Sequence, residues 1–369
     1  MNRRDFLRNS TGCAALLGLR PMLGCNRNDY YSAADFMEAP KMDSHVHYNT
    51  FDDSFLLYAN SLGMHIVSVN TDAGESFNID EQFEIAVTLR KQHPGVFDFL
   101  GTFSVDSFGK DGFTDQIIAR IEQCMNAGAK GIKIWKNIGM DLKDAQGYYV
   151  MADNPVFAPV FSYIEKQRIP LLAHLGEPKN CWLPYDQMTI QSDLNYYRQH
   201  PEYHMFQFPE KPSYEDQIVA RDHLLERYPQ IVFVGAHIGS LEWSIDEVAK
   251  RFDAHPNFSV DLAERVWYLQ LQSLYDREKV QSFLSTYQDR ILYGSDIVCM
   301  DINPDKRNEL QKSMKDIWLQ QWKFFATDEI LPSTQFTLES ATKEMKGLRL
   351  SRTIVDKIFY GNTKRIWEC

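Results

Sequence analysis

Between residues 41 and 296 the chain repeats one local pattern eight times: a short apolar, β-rich run followed by a longer helical or loop segment. The runs are K-M-D-S-H-V-H (41–47), H-I-V-S-V-N (65–70), F-D-F-L-G-T-F (97–103), G-I-K-I-W (131–135), I-P-L-L-A-H (169–174), I-V-F-V-G-A-H (231–237), F-S-V-D-L (258–262) and R-I-L-Y-G-S-D (290–296). Apolar runs of this length, bounded by turn residues, are the pattern of strands covered on both faces in a parallel sheet. Parallel neighbours need crossover connections, and the segments between the runs can supply them. D-E-Q-F-E-I-A-V-T-L-R-K-Q-H-P (80–94) puts Phe83, Ile85, Ala86 and Leu89 near one helical face and stops at Pro94. T-D-Q-I-I-A-R-I-E-Q-C-M (114–125) repeats the pattern, and residues 213–229 begin with a Ser213/Glu215/Asp216 cap and stop at Pro229. Eight such units predict an α/β chain folded as a (β/α)8 TIM barrel, for which 369 residues are ample. An open doubly wound sheet is the alternative, but no G-x-G-x-x-G follows the first strand.

Two regions depart from the repeat. Residues 176–212, after the fifth run, form a long connection rich in Pro, Tyr, Trp and His, which in a barrel lies on the substrate-binding face. The tail from about 304 onward reads as helices packed on a closed barrel. A hydrophobic content of 44% supports a large core, and a net charge of −11 argues against a nucleic-acid surface.

The start of the chain reads as an address. M-N-R-R-D-F-L-R carries Arg3 and Arg4 before Phe6 and Leu7, in the manner of a twin-arginine export signal. Met22-Leu23-Gly24-Cys25 resembles a lipoprotein processing box, although Arg20 and Pro21 interrupt the short apolar region. We therefore expect residues 1–24 to be an export signal ending before a lipidated Cys25, residues 25–40 a linker, and residues 41–369 a single domain. That implies a periplasmic or lipid-anchored location; without the signal the chain would be cytoplasmic. No apolar stretch approaches the roughly 20 residues needed to span a bilayer. No C-x-x-C pair suggests a thiolate zinc site, and the cysteines read as buried free thiols.

The chemistry sits at the run ends. Successive strand residues face opposite ways, so His45 and His47 share a face, and on that count Asp43 shares it too. His174 ends the fifth run, His237 the sixth and Asp296 the eighth. The C-terminal ends of barrel strands open onto one rim, so these five groups should converge there. Lys133 and Lys136 fall at the fourth run. Glu177, Trp182 and Tyr185 follow the fifth, Glu242 and Trp243 the sixth, and Arg265 the seventh. Arg265 and Lys133 could hold a substrate carboxylate, with Trp182 as a pocket wall; for Arg265 the competing role is a salt bridge with Glu264.

The pieces D-S-H-V-H, I-P-L-L-A-H-L-G-E-P, G-A-H-I-G-S, R-I-L-Y-G-S-D and Y-G-N-T-K-R-I (360–366) resemble the amidohydrolase superfamily, in particular its branch containing aminocarboxymuconate semialdehyde decarboxylase. The resemblance spans residues 41–368 and implies a barrel of the metal-dependent hydrolase type. It implies that His45, His47, His174 and Asp296 hold one divalent metal, usually zinc, with His237 beside the activated water and Asp296 as proton acceptor. Manganese, or a second metal bridged by a carboxylated Lys133, are the alternatives. The implied reaction is attack by a metal-activated hydroxide on an amide, ester or lactone of a small molecule. Non-oxidative decarboxylation of an unsaturated or aromatic acid is the second reading, and a catalytically silent binding lipoprotein the third. Oligomer formation is left open.

Overall fold

The computed structural model describes residues 29–74, 78–301, 303–333, 335–337 and 344–368. The expected export signal and Cys25 lie outside these residues. The expected linker is described from residue 29 on, and part of it packs: a 3-10 turn at Ala33–Met37 buries Phe36 against Trp322, their ring centroids 6.0 Å apart.

The eight runs form strands β1 (Lys41–Asn49), β2 (Met64–Val69), β3 (Phe97–Thr102), β4 (Ile132–Ile134), β5 (Leu171–Ala173), β6 (Phe233–Gly235), β7 (Phe258–Asp261) and β8 (Ile291–Leu292). They pair in sequence order, all parallel, and β9 (Ile297–Met300) continues the last run beside β1. Backbone bonds close the ring between first and last strands: Ser44 N–H donates to the Tyr293 carbonyl (3.0 Å) and Asp296 N–H to the His45 carbonyl (2.8 Å). The expected helices are present at Ile79–Gln92, Phe113–Asn126 and Tyr214–Arg227, the last opened by a Ser213/Asp216 capping box. Cys124, Cys181 and Cys299 are buried free thiols.

Inside the barrel, Met42, Val67, Val69, Leu100, Leu172, Val234 and Leu292 form an apolar layer. Ile366 and Trp367, on the helix Asn362–Trp367, pack against that layer. The helix Arg307–Ala326 packs outside, where Trp318 and Trp322 are buried.

Strand β1 departs from strict alternation. Asp43 pairs with Ile66, but Val46 pairs with Ser68, so three steps on β1 match two on β2. This β-bulge adds one residue and shifts the phase of the strand. Met42 belongs to the inner apolar layer, whereas Val46 and Tyr48 belong to the outer core. His45 and His47 therefore turn inward. Asp43 does not share their face, contrary to the period-two expectation. Its Oδ1 accepts from Ser295 N–H (2.9 Å) and His45 N–H (3.3 Å), and its Oδ2 accepts from the Trp318 indole (2.8 Å). The Asp43 carboxylate thus joins the bulge, the end of β8 and an outer helix.

Replacing Asp43 with alanine leaves three buried donors without an acceptor. We expect Asp43→Ala to lose roughly 3–5 kcal/mol of stability, and Trp318→Phe, which removes one donor, roughly 1 kcal/mol, both read by urea unfolding. Equal losses for the two variants would mean that the carboxylate does not organise the bulge.

Candidate metal centre

The rim is assembled from the ends of β1, β5, β6, β7 and β8. His45 Nδ1 lies 2.8 Å from Asp261 Oδ2, an acceptor, so Nδ1 carries the hydrogen. His47 Nδ1 lies 2.9 Å from the Val69 carbonyl, which fixes the same tautomer. Both Nε2 atoms then face Asp296, whose Oδ1 is 3.4 Å from His45 Nε2 and 3.2 Å from His47 Nε2. Asp296 Oδ1 is buried and receives no hydrogen bond. Among the described residues, one ligand atom from each of His45, His47 and Asp296 falls within a common 4.8 Å. The Lys133 ammonium lies 3.1 Å from His45 Nε2, while Asp296 Oδ1 has no donor among the described residues. The set fits a divalent metal: two imidazoles oriented through Nδ1 by a carboxylate and a carbonyl, plus one carboxylate ligand.

Gly294 lets the strand ends meet. A Cβ at this position would sit 2.9 Å from His45 Cβ, so only glycine allows β8 to close on β1 and bring Asp296 over the histidines. Asp296 itself has φ 65°, in the left-handed region. After β6, His237, Ile238, Gly239 and Ser240 all have positive φ, between 57° and 62°. For β-branched Ile238 this is a strained conformation of the kind that clusters at functional sites. Asp261 Oδ1 helps hold it by accepting from His237 N–H (2.7 Å).

His174 and His237 form the adjoining pair. His237 Nδ1 faces the Ala263 carbonyl at 2.9 Å and carries the hydrogen, so its Nε2 accepts from His174 Nδ1 at 3.1 Å. That leaves His174 Nε2 with a lone pair. Burial holds both imidazoles well below the usual histidine range, so both are neutral. Burial also lowers His45, with the Lys133 ammonium adding to it.

The expected residues sort into three groups. His45, His47 and Asp296 come together as a group that could hold a metal, while His174 and His237 line the cavity of about 380 Å³ and stand outside that trio. Arg265, Lys136 and Glu177 also line it. Arg265 is buried and does make the salt bridge with Glu264 (3.1 Å), yet its Nε has no partner. Two expectations need correction. Lys133 is fully buried among the barrel residues and absent from the cavity wall; its Nζ lies 3.1 Å from His45 Nε2, and burial lowers it to about 8. Trp182 is not a pocket wall either: its indole donates to the Pro212 carbonyl and its ring packs on Tyr214, inside the loop core. Tyr185 likewise stacks on His204 within that core.

Two site residues escaped sequence reading. Asp261 ends β7 as Asp296 ends the eighth run, but only its partner across the barrel reveals its role. Trp135 shares the inward phase of Lys133 two residues earlier and packs edge-on against His174, with ring centroids 4.7 Å apart. Over the cavity, residues 176–212 fold into a cap with 3-10 turns and the helix Gln191–Gln199. A buried cluster pins it: Asn180 Nδ2 donates to Asp193 Oδ2 and to the Tyr268 hydroxyl, each at 2.8 Å, and that hydroxyl donates to the same carboxylate.

Comparison with known proteins agrees with this geometry. The model of the amidohydrolase family matches residues 80–368. The match begins after β1, so the roles of His45 and His47 rest on the site itself. A solved structure described as an amidohydrolase II has 14% identity and a TM-score of 0.50, covering 89% of this chain and 100% of its own. The 2,6-dihydroxybenzoate decarboxylase from Rhizobium has 15% identity and a TM-score of 0.50, covering 89% of this chain and 99% of its own. At these identities the likeness bears on the fold. A search of curated proteins finds no match.

Two outcomes test the site. Asp261→Asn removes the carboxylate that orients His45, and we expect divalent metal affinity to fall roughly 10–100-fold in chelator competition while circular dichroism stays unchanged. Glu242, buried beside Arg265, has its carboxyl raised by burial from 4.5 to about 7 despite the opposing guanidinium. A raised folded-state pKa gives stability that is complete below pH 4.5 and is lost as pH rises through about 7. Wild type should therefore lose up to roughly 3 kcal/mol across that window from this group, and Glu242→Gln should flatten that part of the profile. Parallel profiles for the two proteins would remove Glu242 from the account.

Proposed function

The chain belongs to the amidohydrolase family, and from that membership we propose that it is a metal-dependent hydrolase cleaving an amide, ester or lactone bond of a small organic substrate. The observation that carries the reading is the trio of His45 Nε2, His47 Nε2 and Asp296 Oδ1, two of whose residues, His47 and Asp296, line the cavity, with no donor among the described residues for the buried carboxylate oxygen. These three would hold the metal, with His174 the next imidazole along the wall. Two imidazoles and a carboxylate suit zinc, with manganese as the alternative. When bound, the metal supplies Lewis acidity, which polarises a substrate oxygen and activates water at neutral pH.

The remaining work falls to the chain. Asp296, whose Oδ1 has no donor among the described residues, can accept a proton at the cavity wall. Neutral His237 is held by the Ala263 carbonyl and takes a hydrogen bond from His174, which orients the His174 ring and leaves its Nε2 free on the cavity wall. Arg265 and Lys136 supply positive charge for orienting a substrate oxygen or carboxylate. Trp135 and the cap limit access of bulk water. The N-terminal export pattern supports a periplasmic or membrane-anchored setting.

Arg265 favours a second reading within the same family. A buried guanidinium with an unpartnered Nε suits a substrate carboxylate, as a decarboxylase requires.

Elemental analysis of purified protein, together with an amide, ester and lactone panel, tests both. Wild type should carry about one equivalent of divalent metal. A His45→Ala/His47→Ala double variant should lose the metal and fall to the background rate. Carbon dioxide release from aromatic or enol acids without hydrolysis would select the decarboxylase reading. Folded protein that takes up no metal would reject both.

A further inference from the structure

We propose that the substrate has two parts, and that beyond the group reacting at the metal centre it carries an uncharged polyhydroxylated ring, of hexopyranose type, bound on Tyr196 and Tyr203 in an outer cleft. The inference rests on the metal-dependent reading of the inner cavity and adds a subsite to it.

The outer cleft holds about 990 Å³ and joins the inner cavity through a shared wall of Ala73, Trp135, Lys136, Glu177 and Tyr196. The inner cavity, at about 380 Å³, already accommodates a small acid or ester, so the cleft is surplus to a one-part substrate. Tyr196 and Tyr203 lie in this cleft with ring planes within 11° and centroids 6.3 Å apart. Both are about half exposed, at 44% and 50%. Two near-parallel aromatic rings, each about half exposed beside the inner cavity, give apolar surface on which a ring with an apolar face of its own can rest.

The walls decide which ring. Asp106, Asp141 and Glu202 offer acceptors and Lys211 offers donors, while Lys136 is paired with Glu177. Hydroxyl groups donate and accept, so a polyol can satisfy both kinds at once. A second substrate carboxylate meets an excess of carboxylates, to which hydroxyl groups can donate. A plain aromatic ring would stack but leave the walls unpaired, at a cost in desolvation.

Metal-loaded full-length protein is titrated with methyl hexopyranosides, followed by saturation-transfer NMR and calorimetry. Wild type should bind at least one glycoside. Tyr196→Ala and Tyr203→Ala should each weaken that binding roughly three- to tenfold, and Tyr196→Phe, which keeps the ring, should restore it. The His45→Ala/His47→Ala variant should bind the glycoside as wild type does. Absence of binding by every glycoside, affinities unchanged in the alanine variants, or preferential tyrosine-dependent binding of methylammonium or benzoate would each overturn the subsite. Metal-dependent hydrolysis without glycoside binding defeats this inference alone. Glycoside binding that needs the tyrosines, in a protein that takes up no metal, leaves the subsite standing and defeats the reaction.

Discussion

One extra residue in β1 sets the direction of His45 and His47, the side chains with which that strand meets Asp296. Regular alternation from Met42 would turn Ser44 and Val46 inward and send His45 and His47 into the outer layer. The bulge between Asp43 and Val46 reverses the phase, so the lower part of the strand feeds the apolar barrel layer and the upper part feeds the rim. What holds the bulge comes from far along the chain: the Asp43 carboxylate is gripped by the Ser295 amide and by Trp318 on the outer helix. A helix on the outside of the barrel therefore helps fix the aim of His45 and His47.

The same rim concentrates charge where water is scarce. His45, Lys133, Asp261 and Asp296 are mutual neighbours, and each answers a need of another: Asp261 takes the His45 hydrogen, and Lys133 faces the other nitrogen of that ring. Buried charge is tolerable only with such partners, and taking one away leaves the rest uncompensated. Backbone strain is gathered in the same place. The left-handed run from His237 to Ser240 costs energy that the surrounding barrel must offset, and Asp261 helps by bonding the His237 amide. One carboxylate thus aims a ligand on β1 and steadies the turn after β6.

Much of this was legible in the sequence. Eight apolar runs with helical spacers read as a barrel because periodicity and turn residues act locally, and strand ends in a barrel share one rim whatever the loops do. That rule put His45, His47, His174, His237 and Asp296 on one rim, and the family resemblance supplied their roles. What escaped depends on partners distant in sequence. The bulge gives no local signal, so Asp43 was assigned to the wrong face. Asp261 resembles any strand-end acid until His45 is set opposite. Trp182 and Lys133 lay at the right chain positions, but position does not reveal which way a loop folds or how deep a strand residue sits. The cap carries its own small core of Cys181, Met188, Leu194, Tyr197 and Met205, and Trp182 packs against that core rather than facing the cavity.

The clamp on the cap has a kinetic meaning. Asn180, Asp193 and Tyr268 form a closed ring of hydrogen bonds, away from bulk solvent, between the cap and the helix Val266–Tyr275. Such a ring does not loosen gradually, because breaking any one bond exposes a carboxylate to a poor environment and weakens the others. Lifting the cap therefore means breaking that ring as a unit rather than bond by bond.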